Sequence, residues 1–368
     1  MNKTKGSKLA RQGINDLIAY VPGKPMEEVQ KEYGLTEITK LASNENPLGT
    51  SPKALQAMQQ ALGNTNLYPE GSSRKLREKV AAKYGINEDM VIFSNGADNI
   101  LLLIAQGFIS EGDEVIIGDP TFSVYETVTK IMGGKLVTVP LKNLTYDLSA
   151  IAEKITEKTK LIFICNPNNP TGTIVTEEEV ARFMDIVPAD CVVVFDEAYA
   201  EFVGEKSYPQ TIEYVTAQRN VLIVRTLSKI FGLAGARVGY AIGPEPMINI
   251  LRKVVEPFPV NRLAQAGGLA ALDDTEFLNK VLSVTEQGRQ YLYQEFSKLG
   301  MKYTPSNTNF IFVDLGMDAQ VVFKKLLERG VIIRPGDIWN LPTYARITIG
   351  TMEQNEKFIK ALKEVINQ

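Results

Sequence analysis

From Val91 onward, short, mostly apolar runs alternate with amphipathic stretches along the chain. Val91–Phe93, Glu114–Gly118, Lys135–Pro140, Lys160–Cys165, Cys191–Phe195 and Val221–Val224 have the length and β-branched content of strands. Most lack the alternation of a strand with one wet face, so both faces are expected to be covered. Between them, Asp98–Phe108, Ser123–Met132, Ser149–Ile155 and Glu177–Asp185 carry helical periodicity. Apolar strands separated by helices predict an α/β fold with a mostly parallel sheet flanked by helices. Gly239–Gly243 reads as a further strand that closes the sheet.

The flanks read differently. Residues 1–19 offer one short helical stretch at most, and Tyr20-Val-Pro-Gly-Lys-Pro25 breaks any element, so this part reads as an arm. A short charged helix over Met26–Tyr33 precedes the turn-rich loop Leu41–Gly49. Ser51-Pro52 is a cap-plus-proline start for a helix to about Leu62, and a further helix spans Arg74–Tyr84. Beyond Pro257 a long helical region runs to about Leu299, interrupted near Asp273. Strands over Asn309–Val313, Val331–Ile333 and Ala345–Ile349, with helices Ala319–Arg329 and Asn355–Ile366, then give the pattern of a smaller α+β domain. A chain of 368 residues exceeds one ordinary core. The division expected is 1–49 as arm and small-domain segment, 50–258 as large domain and 259–368 as small C-terminal domain.

Composition narrows the chemistry. A net charge of −3 with no basic block argues against nucleic acid or an anionic membrane as partner. Cys165 and Cys191 sit inside apolar runs without a CxxC neighbour, which suits reduced thiols in a cytoplasmic protein. No apolar stretch follows the basic N-terminus, and no apolar run is long enough to span a bilayer. The chain contains no histidine, so a His-built triad and a His-rich zinc site are excluded. Acid–base work near neutral pH falls to lysine, carboxylate, tyrosine or a cofactor.

The residues at strand ends are the ones with chemistry. After Val221–Val224 comes Thr226-Leu-Ser-Lys-Ile-Phe-Gly-Leu-Ala-Gly-Ala-Arg-Val-Gly-Tyr240, which places Lys229 in a loop beyond a strand, where open α/β sheets bind ligands. Hydroxyls of Thr226 and Ser228 on one side and Phe231 with glycines on the other suit a desolvated amine beside an anion site. Desolvation lowers a lysine pKa and makes the amine nucleophilic toward carbonyls. Arg237, eight residues on in a glycine-rich segment, suits a phosphate held by paired hydrogen bonds. Asn166-Pro-Asn-Asn-Pro-Thr-Gly172 and Asp196-Glu-Ala-Tyr199 follow the two preceding strands. Spacings of 27 residues from Asn169 to Asp196 and 33 from Asp196 to Lys229 leave room for a helix and a return strand, so all three can meet at one sheet edge.

These motifs, in this order and at these distances, resemble the fold type I pyridoxal-phosphate-dependent aminotransferases. Tyr20–Pro25, Leu41–Gly49 and Tyr344-Ala-Arg-Ile-Thr-Ile-Gly350 are most similar to the histidinol-phosphate aminotransferase branch, and the resemblance spans nearly the whole chain. It implies pyridoxal 5'-phosphate as cofactor, with Lys229 holding it covalently and then serving as the base of the proton shift. Asp196 would pair with the ring nitrogen, Asn169 and Tyr199 with the ring's phenolic oxygen, and Phe122 would stack on the ring. The phosphate would lie on the amides of Ala97 and Asp98 at a helix start, with Thr226, Ser228 and Arg237. The resemblance also implies a homodimer with a shared active site, in which Tyr68 reaches the partner's phosphate group. Arg346 would hold a substrate carboxylate, Arg334 the phosphate of histidinol phosphate, and Tyr20 and Asn44 would cover the substrate.

The expected reaction is exchange of an amino group between L-histidinol phosphate and 2-oxoglutarate, in two steps, within histidine biosynthesis. An aromatic amino-acid aminotransferase stays open, because Phe122, Tyr125 and Trp339 do not separate an imidazole from a phenyl ring. A threonine-phosphate decarboxylase shares the fold and a phosphate-bearing substrate, and is the third reading.

Overall fold

From edge to edge, the large sheet of the computed structural model runs Val91–Ser94, Gly239–Ile242, Val221–Thr226, Val192–Asp196, Thr159–Cys165, Glu114–Asp119 and Lys135–Pro140. The structure describes residues 10–11, 13–17, 19 and 23–366. Neighbours pair in parallel except for Gly239–Ile242, which is antiparallel to both strands beside it. The exception has a topological cause. Parallel strands need a long crossover, which helices such as Ala97–Phe108, Val124–Ile131 and Glu177–Ile186 supply. Between Thr226 and Gly239 the chain forms only a loop with one 3₁₀ turn, Ala234–Ala236, so it returns antiparallel.

Burial explains the apolar runs. Leu161–Ile164 and Val193–Phe195 lie at the sheet centre with no side chain exposed. At about 1.5–3 kcal/mol for each large apolar side chain, these strands supply much of the folding free energy. Glu245–Val254, to which the sequence pattern assigns no element, is a helix opened by prolines at Pro244 and Pro246. It lays Met247, Ile248 and Leu251 on the same core.

A second core gathers Leu41, Leu292, Phe296, Ile311, Val313, Ile347 and Phe358 around a four-stranded sheet ordered Arg334–Pro335, Tyr344–Thr348, Phe310–Asp314 and Lys302–Tyr303. Val331–Ile332, within the strand expected over Val331–Ile333, pairs in parallel with Thr39–Lys40, which is too short to show any period in the sequence. The helix Thr275–Lys298 joins the two cores. Phe277 and Val281 pack with the large sheet, and Leu292 and Phe296 with the small one. Val260, Ala264 and Ala271 also lie in the large core. Among the described residues no helix is long and apolar enough to cross a membrane.

Candidate active site

The three strand-end motifs do converge. Cys165 stands beside Asp196 in the sheet register, and Asp196 beside Val224, so the segments leading to Asn169, Asp196 and Lys229 leave one sheet edge side by side. They open into a cavity of about 450 Å³. Its lining brings together Asn44, Ala97, Asp98, Phe122, Asn169, Asp196, Tyr199, Thr226, Ser228, Lys229, Arg237 and Arg346, all singled out from sequence.

Asp196 ends its strand and is 3% exposed. Its Oδ1 accepts the Ala198 backbone N–H at 3.1 Å and its Oδ2 the Tyr125 hydroxyl at 2.7 Å. Burial nevertheless pushes the carboxyl up to about 6, against the lowering effect of those two bonds. Lys229 feels the opposite sign of the same effect. Burial first, then the Arg346 and Arg237 charges, bring its amine down to about 8, while Asp98 and Glu45 act the other way. The amine lies 3.5 Å from the Ser43 carbonyl oxygen and 5.7 Å from the centre of the Tyr199 ring.

An anion cup forms one end of the cavity. Gly96, at φ +85°, turns the chain from strand into the helix Ala97–Phe108, whose first N–H groups have no partner within the helix. That φ is one L side chains rarely adopt, and a Cβ on Gly96 would lie 2.6 Å from Arg237 Nη2, so the guanidinium would have to shift away from the helix start. The helix is not capped by Asp98, whose carboxylate instead accepts from Arg237 Nη2 at 3.1 Å. Thr226 and Ser228 hold each other through a 2.9 Å hydroxyl bond, and the Ser228 N–H donates to Thr226 at 3.0 Å.

On the small-sheet side, Arg346 is 8% exposed and tightly held. Its Nη1 donates to Asn169 Oδ1 and its Nη2 to the Ala42 carbonyl, both at 2.6 Å. The guanidinium carbon lies 5.5 Å from the ring centres of both Phe310 and Trp339. Asn44 Nδ2 donates to the Tyr199 hydroxyl at 2.8 Å, and burial raises that phenol. Phe122 meets Tyr125 edge-on at 5.8 Å.

Three expected residues stand apart. Arg334 faces Arg346 in the antiparallel register but is not among the cavity's lining residues. Tyr68 is 78% exposed, stacked 4.5 Å from Phe258 and away from the cavity. Tyr20 lies outside the described residues. Conversely, Ser43, Val124, Cys165, Ala198 and Ala234 line the cavity without having been singled out, and Tyr125 bonds to Asp196 from outside it. Ser43 contributes through its backbone carbonyl and Cys165 is buried at the strand end, so their sequence context gave no signal, while Tyr125 follows Phe122 at helical spacing.

A carboxylate at one side of the cavity, an amine with lowered proton affinity and a helix-start anion cup fit a ligand with a basic ring nitrogen, a carbonyl and a phosphate. Residues 36–362 match the model of the family described as aminotransferase class I and II.

The chain belongs to that family.

Among its aminotransferase relatives, the histidinol-phosphate aminotransferase of Moorella thermoacetica is 49% identical, across 97% of this chain and 92% of that protein. That of Brevibacillus brevis is 46% identical, across 97% and 98%. The crystal structure of the Sinorhizobium meliloti histidinol-phosphate aminotransferase in complex with pyridoxal-5'-phosphate is 28% identical to this chain. It superposes with a TM-score of 0.89 over 97% of this chain and 98% of that one.

Proposed function

We propose that this chain is a pyridoxal-phosphate-dependent aminotransferase that exchanges an amino group between L-histidinol phosphate and 2-oxoglutarate, in histidine biosynthesis. The observation that carries the reading is the placement of the Lys229 amine in one cavity with the buried Asp196 carboxylate and the anion cup at Ala97 and Arg237. The donor set fits pyridoxal phosphate. When bound, the cofactor supplies an electron sink for the pair released as the substrate Cα–H bond breaks.

The chain's own residues do the rest. Lys229, with an amine at about 8, is part-neutral near neutral pH and so can bind a carbonyl and afterwards carry a proton. Asp196 holds a proton on the ring nitrogen. Asn169 has its amide oxygen engaged by Arg346, so its amide N–H and the Tyr199 hydroxyl serve the ring's phenolic oxygen. Phe122 covers the ring. Ala97, Asp98, Thr226, Ser228 and Arg237 bind the phosphate. Arg346 takes the carboxylate of glutamate, Arg334 the phosphate of histidinol phosphate, and Asn44 with Tyr20 covers the substrate.

We further assign the protein as a cytoplasmic homodimer. The exposed apolar residues Leu55, Leu62, Leu67, Tyr68 and Phe258 support a face that a second copy covers, with Tyr68 completing the partner's phosphate site. Both cysteines are free and buried, as suits a reducing compartment. The division between domains is proposed within the helix Thr275–Lys298, where packing passes from one core to the other, rather than after residue 258.

The test is spectroscopic. L-Histidinol phosphate, L-phenylalanine and L-threonine phosphate are added separately to the cofactor-loaded protein without keto acid, and the visible band of the lysine-bound cofactor is followed. Rapid loss with histidinol phosphate alone is expected. Equal loss with phenylalanine would favour an aromatic aminotransferase, and carbon dioxide from threonine phosphate a decarboxylase. A Lys229→Ala protein with an unchanged spectrum would sink the assignment of the lysine.

A further inference from the structure

Tyr125 is completely buried, one turn beyond Phe122, in the helix Val124–Ile131. Its ring stacks on Phe163 at 4.8 Å with planes 9° apart, and meets Phe122 edge-on at 5.8 Å. Phe163 belongs to the interior strand Thr159–Cys165 and is itself fully buried, so the Tyr125 ring packs against the filled core of the sheet. Its hydroxyl donates to Asp196 Oδ2 at 2.7 Å. With Oδ1 held by the Ala198 N–H, the carboxylate is fixed at both oxygens. One side chain therefore contacts both the aromatic proposed to cover the cofactor ring and the carboxylate proposed to meet its nitrogen.

We infer that Tyr125 is a positioning residue for the cofactor: its hydroxyl sets the orientation and charge of Asp196 while its ring braces Phe122. The inference rests on the cofactor site proposed above. Burial holds the Tyr125 phenol protonated well above the usual tyrosine range, so it acts as a donor and never as a base. The other titratable groups around Asp196 are Cys165, Tyr199, Lys229, Asp98 and Glu197. Burial also raises the Cys165 thiol and the Tyr199 phenol, so both stay neutral beside it. Asp98 and Glu197 oppose a charge on Asp196, and Tyr125 is the side chain whose hydrogen bond favours one. A carboxylate without that bond would be less ionised and held at one oxygen only, by the Ala198 N–H.

A double-mutant cycle tests this on cofactor affinity, read by titrating pyridoxal phosphate into the protein and following its absorbance. Tyr125→Phe keeps the stacked ring and removes only the hydroxyl. It is expected to weaken binding about tenfold at pH 8, the scale of one hydrogen bond to a charged group. In the Asp196→Asn background the same change is expected to matter less than twofold, because there is no charge for the hydroxyl to hold. In turnover, the loss should fall on kcat rather than on the KM for either amino donor. Equal weakening in both backgrounds would mean that the hydroxyl does not act through the Asp196 charge, and either that result or an unchanged affinity in the Asp196 background would overturn the inference. If Tyr125→Phe does not fold, 3-fluorotyrosine placed at position 125 keeps the shape and alters the hydroxyl's acidity. It should change affinity in the Asp196 background and leave it unchanged with Asp196→Asn; no difference between the backgrounds counts against the role. Failure of the unmutated protein to bind the cofactor would instead sink the proposed function itself.

Discussion

Replacing Asp196 by asparagine should stabilise the cofactor-free protein while damaging the enzyme. Burial moves the Asp196 carboxyl from 3.8 to about 6. Between those values the folded state keeps a proton that the unfolded chain has released, so stability falls as pH rises through this window, and the loss is complete above it. At about 1.4 kcal/mol for each tenfold change in proton affinity, the charged side chain costs the fold about 3 kcal/mol at pH 8, roughly half of it already present at pH 5. Asparagine has the same shape and no charge. Its Oδ1 can accept from the Ala198 N–H, and its Nδ2 can donate to a Tyr125 hydroxyl turned to accept, so neither bond to Asp196 need be left open.

Urea unfolding of native and Asp196→Asn proteins, cofactor-free and at one fixed protomer concentration, measures the effect. The variant should gain about 3 kcal/mol at pH 8, about half that at pH 5, and little near pH 3.5. With cofactor present it should bind more weakly and turn over poorly, because the carboxylate that destabilises the empty fold is the one that serves the ring nitrogen. A variant no more stable than the native protein at pH 8, or a gain of equal size at pH 5 and pH 8, would refute the argument from a buried charge.

The Lys229 amine, lowered to about 8, should capture added pyridoxal phosphate at a rate that rises through pH 8 and levels off above it, as read by stopped-flow absorbance. A midpoint near 10.5 would show an amine without desolvation. Arg346→Lys keeps the charge but cannot reach Asn169 and Ala42 together from between Phe310 and Trp339; steady-state kinetics should show the KM for glutamate raised about tenfold or more, with a smaller change in kcat. If two copies share each site, inactive Tyr68→Ala and Lys229→Ala proteins should recover activity when unfolded together and refolded, since the mixed dimer contains one intact site. Continued inactivity of a mixed dimer verified by mass spectrometry would remove Tyr68 from the partner's site.

Much of this protein was legible along the chain because its chemistry sits where local pattern is strongest. Fully buried strands such as Leu161–Ile164 must be continuously apolar, so the motifs after Cys165, Phe195 and Val224 stood out as polar residues at strand ends. Parallel pairing then had to bring those ends to one edge. The helix expected over Asp98–Phe108 was readable from its periodicity, and it begins one residue earlier, at Ala97, after the turn at Gly96.

What only the folded chain decided are relations between segments distant in sequence. The antiparallel return of Gly239–Ile242 follows from a loop lacking a crossover helix, and Thr39–Lys40, the partner of Val331–Ile332, is too short to impose any period. The meeting of Arg346 with Asn169, and of Asn44 with Tyr199, joins residues 177 and 155 positions apart. Along the chain Tyr125 reads only as an aromatic that does not separate an imidazole from a phenyl ring, because a sequence does not show which carboxylate its hydroxyl meets. The proton affinities of Lys229 and Asp196 likewise belong to the fold, since desolvation and the charges around a group are set by neighbours that the chain supplies from elsewhere.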